Sequence, residues 1–228
     1  MNYFRYISFL TLRHHNPNAV IELSVGAKHG TAAWPECSQD FHHIQAQDFT
    51  KQIHQLCDIV LEWDGHQDKA PNFQSDFFRW ETLYNRGGWY VDSDQVFLKP
   101  FDDFSGYDYV YAAYDSYYPV GVIGASVKQG FCKYMSSLIS ARYDPTDYNS
   151  IGPWAHRYAV RNVNCQIANS CNSWYAFYPL HYSSSVGRAY GEEYTTPAAH
   201  AVHLFGAHPE SQQFASTFTP GTAKTGTD

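Results

Sequence analysis

A chain of 228 residues with 44% hydrophobic content is long enough to fill one core. Its 22 acidic against 15 basic residues leave a formal charge of −7, and no Lys/Arg run offers to neutralise a nucleic-acid backbone, which argues against nucleic acid as a partner. With so few cations, an anionic ligand such as a diphosphate would call for a metal. The five cysteines, at 37, 57, 132, 165 and 171, lack C-x-x-C or zinc-ligand spacing and read as reduced structural thiols; Cys165 and Cys171 could pair, but nothing requires it. Met1 to Tyr6 has no signal-peptide pattern, no apolar run reaches the roughly 18 residues of a membrane span, and no N-x-S/T sequon occurs. Together these point to a soluble cytoplasmic protein.

In chain order, apolar residues at Tyr3, Phe4, Ile7 and Leu10 predict a helix to about His14, stopped by Asn16-Pro17-Asn18. A short strand follows over 19–25. Residues 26–47 dissolve into Gly, His and Pro and read as loop. Asp48 is a candidate N-cap for a helix to Leu56, and Asp58 to Trp63 reads as a strand. The next helix is predicted to start near Ser75 and Asp76, to carry Phe77, Trp80 and Tyr84 on one stripe, and to end at Gly87-Gly88 with a left-handed glycine cap. Asp76 and Arg79, three apart, share a neighbouring face.

A strand over Trp89-Tyr90-Val91 then delivers Asp92 and Asp94, and is predicted to continue through Gln95 to Leu98. Side chains at i and i+2 of a strand point to the same side, so the two carboxylates can converge on one hard cation where the strand ends. Strand carboxyl ends are also where open α/β sheets bind ligands. Further on, strands are predicted over 108–113 and 120–125, with a helix from Phe131 through Ile139 that Asp144-Pro145 ends. Pro153 sits at the first position of another helix. Trp174 to Pro179 looks like a strand, Ala199 to Gly206 is the last ordered-looking segment, and Thr217 to Asp228 reads as a disordered tail after a single domain over 1–216. The many tyrosines between Tyr107 and Tyr118 fit a strand better than a sugar-stacking platform.

The run Ser75-Asp76-x-x-Arg79-Trp80-x-x-Leu83-Tyr84-x-x-Gly87-Gly88-x-Tyr90-x-Asp92-x-Asp94, followed by Lys99-Pro100, resembles the sugar-binding region of DXD-motif glycosyltransferases. That group, the family 32-like enzymes, includes fungal mannosyltransferases and bacterial capsule and lipopolysaccharide transferases, and more distantly the glucosylating clostridial toxins. Weaker echoes are Gly121 to Ala125, Ile151-Gly152-Pro153 and Ala201-Val202-His203-Leu204-Phe205. The resemblance implies a GT-A fold, a Rossmann-like mixed sheet flanked by helices, here without the short strand that normally precedes the first helix. The family's Ser-Trp pair near the diphosphate is also represented only by Ser211.

Position by position, the resemblance makes Asp94 a direct metal ligand, and has Asp92 contact the ribose or donor sugar and reach the metal directly or through water. Asp76 and Arg79 would bond donor-sugar hydroxyls, and Tyr90 would line the same pocket. His203 would be the third metal ligand, with His200 as its substitute. The expected cofactor is a divalent cation, Mn2+ or Mg2+, whose charge offsets the leaving diphosphate. The expected reaction is hexose transfer with retention, from a UDP- or GDP-sugar to a glycan or other hydroxyl acceptor, in cell-surface polysaccharide assembly. The alternative from a different class is a carbohydrate- or nucleotide-binding protein without turnover.

Overall fold

The central strands divide the apolar residues between two cores. A computed structural model describes residue 1 and residues 3–26, 48–162, 169–178 and 197–204. Helix α1 (Tyr3–His15) buries Phe4, Ser8, Phe9 and Leu12, one stripe of a helical repeat. Strand β1 (Glu22–Gly26) pairs in parallel with β2 (Ile59–Trp63), and helix α2 (Thr50–Leu56) lies on the crossover that a parallel pair requires. Arg13 at the end of α1 ties this unit together by donating to the Leu56 and Ala19 carbonyls and to the Asp58 carboxylate. Asp48 does not hold the N-cap position, which is Phe49; its carboxylate instead accepts from the Met1 ammonium at 2.8 Å and the Thr50 amide at 3.0 Å.

Helix α3 (Pro71–Arg86) begins a turn earlier than its apolar stripe suggests. Pro71 occupies the first turn, where a missing N–H costs nothing, so Asp76 lies within the helix rather than at its cap. The helix buries Phe73, Phe77, Trp80 and Leu83 and ends as expected at Gly87, whose φ of 68° favours glycine. A Cβ on Gly87 would also come within 3.0 Å of the Val127 Cα, so both conformation and space demand glycine.

Next come β3 (Gly88–Val91), β4 (Gln95–Phe97), β5 (Tyr109–Tyr111), β6 (Val122–Ala125), α4 (Gly130–Arg142), α5 (Pro153–Asn162), β7 (Ser170–Asn172), α6 (Trp174–Phe177) and β8 (Ala201–His203). The four-stranded sheet runs β3-β6-β5-β7, antiparallel except for the parallel β5–β7 pair. Alternation along β5 and β6 sends Val110 and Val122 to one face, against α1, Phe97 and Phe177. Tyr109 and Ile123 go to the other face, against Trp80 of α3 and Phe131, Met135 and Ile139 of α4. Each such buried side chain contributes about 1.5–3 kcal/mol. The α/β class expected from the chain is therefore what it adopts, a mixed sheet flanked by helices.

Two predicted strands differ. The strand leaving Gly88 stops at Val91, residues 92–94 form a turn, and β4 starts anew in a separate antiparallel pair with β8. Residues 174–177 are a helical turn, because the Asn172 side chain accepts the Trp174 amide at 3.2 Å and starts it. The strand lies just before, at Ser170–Asn172. Cys57, Cys132 and Cys171 are free thiols. Cys37, Cys165, Ser211, the 27–47 part of the predicted loop and the tail over 217–228 lie outside the described residues.

Candidate active site

The end of β3, the body of α3 and the end of β8 bring the predicted polar residues together. Arg79 is the hub. Its Nη1 lies 3.0 Å from Asp76 Oδ1, one helical turn away, and its Nη2 lies 3.7 Å from Asp92 Oδ1. Nη2 also donates to Ser75 Oγ at 3.3 Å and to Tyr90 Oη at 3.2 Å, and Tyr90 in turn donates to Asp92 Oδ1 at 2.9 Å. The guanidinium stands 4.4 Å from the Tyr90 ring centroid, a cation–π contact. Tyr90 and Asp92 share a face of β3 and its extension, which is why one helix residue reaches both.

Asp76 and Arg79 are buried, and electrostatics follow from that. Burial pushes the Asp76 carboxyl up to about 6, with Arg79 opposing and Asp92 adding to the rise. For Arg79, burial disfavours the charge, but Tyr90, Asp76 and Asp92 together overcome it and raise its pKa. Burial likewise raises the Tyr90 phenol, so it remains a donor to Asp92. Tyr148 borders the same group, its pKa raised by burial and then by Asp76 and Asp92. Among the described residues the buried guanidinium Nε has no hydrogen-bond partner, and Nη1 meets Asp76 as an ion pair at 3.0 Å without hydrogen-bond geometry.

Asp92, Asp94 and His203 each offer one ligand atom within 4.8 Å of the others. His203 Nε2 stands 3.1 Å from Asp94 Oδ1. The β4–β8 register places Gln95 opposite His203, and the Leu204 amide donates to the Asp94 carbonyl at 2.9 Å, so the ladder itself sets this approach. Burial lowers the imidazole's affinity for a proton, while the Asp94 charge and hydrogen bond raise it further than burial lowers it. Two carboxylates and an imidazole, partly open to solvent, are the donor set of a divalent cation. His200, the substitute ligand, is elsewhere: its Nε2 lies 2.9 Å from Asp103 Oδ2 and its Nδ1 3.1 Å from the Ala198 carbonyl.

Residues 9–111 match the family model for the glycosyltransferase sugar-binding region containing DXD motif. Over those residues the chain is similar to that family. That region takes in Asp76, Arg79, Tyr90, Asp92 and Asp94 and stops short of His203. Among solved structures, PaToxG Glycosyltransferase is similar at 15% identity and a TM-score of 0.49, over 70% of this chain and 63% of that one. This chain thus spans less than two thirds of that protein's length. No curated protein matches the chain. No helix among the described residues is long and apolar enough to cross a membrane.

Two glycines that the sequence offered only within weaker echoes of the family shape the candidate site. A Cβ on Gly121 would overlap Asp92 Oδ2, and one on Gly152 would come within 3.2 Å of Asp76 Oδ2. Both carboxylates therefore rest against bare backbone. Beyond those echoes, the legible signal was only that each glycine sits beside a predicted element boundary. Tyr178, which lies against His203, carried no signal beyond being aromatic.

Proposed function

We propose that this chain is a metal-dependent, retaining hexosyltransferase that moves a hexose from a UDP- or GDP-sugar to a glycan or other hydroxyl acceptor. The observation that carries this reading is the contact between two groups of residues: the Asp92–Asp94–His203 ligand set and the Asp76–Arg79–Tyr90 network meet at Asp92. Asp94, Asp92 and His203 would hold the cation, Mn2+ or Mg2+, and a cation held there offsets charge on the departing diphosphate.

The chain's own residues then divide the remaining work. Asp76 accepts from donor-sugar hydroxyls, and Arg79 donates to them through its guanidinium, whose Nε has no hydrogen-bond partner among the described residues. Tyr90 lines the pocket and keeps Asp92 aimed, because its hydroxyl is occupied by Arg79 on one side and Asp92 on the other. Asp92 and Asp94 are too close in the chain to straddle a sugar ring as the paired acids of glycosidases do. The acceptor hydroxyl therefore attacks without a dedicated base from this pair: the new glycosidic bond forms as the bond from the anomeric carbon to the diphosphate oxygen breaks, and the departing diphosphate takes the hydroxyl proton.

The test is nucleotide release from a panel of UDP- and GDP-sugars with Mn2+, Mg2+ or chelator, in wild type and Asp94→Asn. Release that needs the cation and falls more than about a hundredfold in the variant is expected, since the cation loses an anionic ligand. Undiminished release by Asp94→Asn would remove the metal assignment.

A further inference from the structure

Tyr178 carries a hydroxyl that the fold itself does not use. The side chain is 2% exposed, packed between the Trp174 ring, stacked at 5.5 Å, and the His203 imidazole, met edge-on at 5.5 Å. Its Oη has no hydrogen-bond partner among the described residues. Burying an O–H without an acceptor is unfavourable, and phenylalanine would fill the same space without that cost. An unsatisfied donor at such a place calls for a functional account.

Gly121 locates the hydroxyl. A Cβ built there would overlap Asp92 Oδ2 and come within 2.8 Å of Tyr178 Oη, so both oxygens converge on one bare Cα. Tyr178 therefore stands between Asp92 and His203, two of the three candidate cation ligands. A phenol carries its proton at neutral pH. What faces the ligand group is thus a neutral O–H donor with no acceptor of its own among the described residues.

We propose that Tyr178 Oη donates a hydrogen bond to a diphosphate oxygen of the bound nucleotide-sugar and holds that leaving group against Asp92, Asp94 and His203. This rests on the transferase reading above. A diphosphate is the better acceptor for two reasons. Its non-bridging oxygens are acceptors only, complementary to a lone donor, and Tyr178 approaches from the His203 side. The donors and acceptors suited to sugar hydroxyls, Arg79 and Asp76, approach from α3 on the far side of Tyr90. A neutral donor also adds affinity in a chain that has few cations to spend on phosphate.

The experiment compares wild type with Tyr178→Phe by thermal shift, using free UDP or GDP with Mn2+, the matching nucleotide-sugars, and no ligand, alongside nucleotide release. Without ligand the variant is expected to melt at the wild-type temperature or slightly above it. Its shift with the free nucleoside diphosphate should shrink, and kcat/KM for the donor should fall about 10- to 100-fold, as when one preorganised donor is lost from a developing anion. A lower unliganded midpoint overturns the proposal by showing a structural bond for the hydroxyl. Wild-type shift and release in the variant overturn it while leaving the transferase reading intact. A shift reduced only with nucleotide-sugars moves the contact to the sugar and overturns the diphosphate assignment. No response of wild type to any nucleotide overturns both.

Discussion

Gly121 and Asp92 are in direct backbone contact: the Asp92 amide donates to the Gly121 carbonyl at 2.7 Å, and a Cβ on residue 121 would overlap the Asp92 carboxylate. The aim of Asp92 is therefore set by the absence of a side chain on β6's approach. Gly121→Ala should turn the carboxylate away from Asp94 and His203, at an overpacking cost of about 1–3 kcal/mol. Nucleotide release should fall more than about tenfold, since small misplacements at a reacting centre cost up to about a hundredfold. Release kinetics at saturating Mn2+ check this, and wild-type rates in Gly121→Ala would show that something else positions Asp92.

Arg79 stands between the buried Asp76 carboxylate and the partly exposed carboxylate of Asp92. Replacing it with Met leaves Asp76 buried without a counter-charge, a change that costs about 3–5 kcal/mol when one partner of a buried pair is removed. Asp76→Asn in the same background should recover much of that loss, because the stranded charge goes with it. Urea unfolding of the two single variants and the double variant measures the coupling. Additive losses would mean that the 3.0 Å approach of Arg79 to Asp76 contributes little.

The part of this site that the chain displays openly is the part encoded locally. Asp76 and Arg79 sit one turn apart on a helix whose apolar stripe is plain, and Tyr90 and Asp92 sit two apart across the end of a strand. Their approach follows from helix and strand periodicity alone. Asp94 was expected to share that strand with Asp92, yet it meets Asp92 across a turn, and its partner is selected by the β4–β8 pairing. That pairing joins segments about a hundred residues apart, and a one-residue slip would have exchanged which side chains face Asp94. Spacing alone does not distinguish His203, which faces Asp94, from His200, which faces Asp103; only the resemblance of Ala201 to Phe205 to the family's C-terminal segment favours His203. Gly121 and Tyr178 are illegible for the same reason, since their meaning lies in a partner brought in by tertiary packing. Trp174 to Phe177 misled in the opposite direction: aromatic strand propensity lost to a turn in which the Asn172 side chain accepts the Trp174 amide.

Two buried groups should give opposite pH dependences of stability. His156 is buried, accepts from Tyr109 through Nε2 at 2.9 Å, and has its pKa pushed down to about 4 by burial, with Arg79 adding to the fall. Its folded pKa lies below the unfolded value, so its contribution is fully present above about 6.5 and is lost as pH falls towards 4. Asp76 is the reverse. Its folded pKa of about 6 lies above the unfolded value of 3.8, so its contribution is present below 3.8 and is lost as pH rises through 6. Between pH 4 and 6 the two slopes oppose each other. Relative to wild type, Asp76→Asn should therefore lose stability more steeply on acidification in that window, and His156→Gln less steeply. Denaturant midpoints at half-unit pH steps check both signs, and parallel profiles for all three proteins would contradict them.

Gln95 is the residue whose retention the fold explains least. It is 0% exposed, neither polar atom of its carboxamide has a partner among the described residues, and it lies directly opposite His203 in the β4–β8 ladder, next to Asp94. Leaving a buried polar group unpaired costs about 1–3 kcal/mol. Methionine matches the length and volume of glutamine and removes both polar atoms, so Gln95→Met should stabilise the protein by roughly that amount, raising the thermal midpoint by several degrees. Stability gained beside a functional strand commonly comes at some cost in activity, and the same variant tests that through nucleotide release. A midpoint that falls would mean instead that the amide is hydrogen-bonded in solution, and that the interior behind Asp94 holds water.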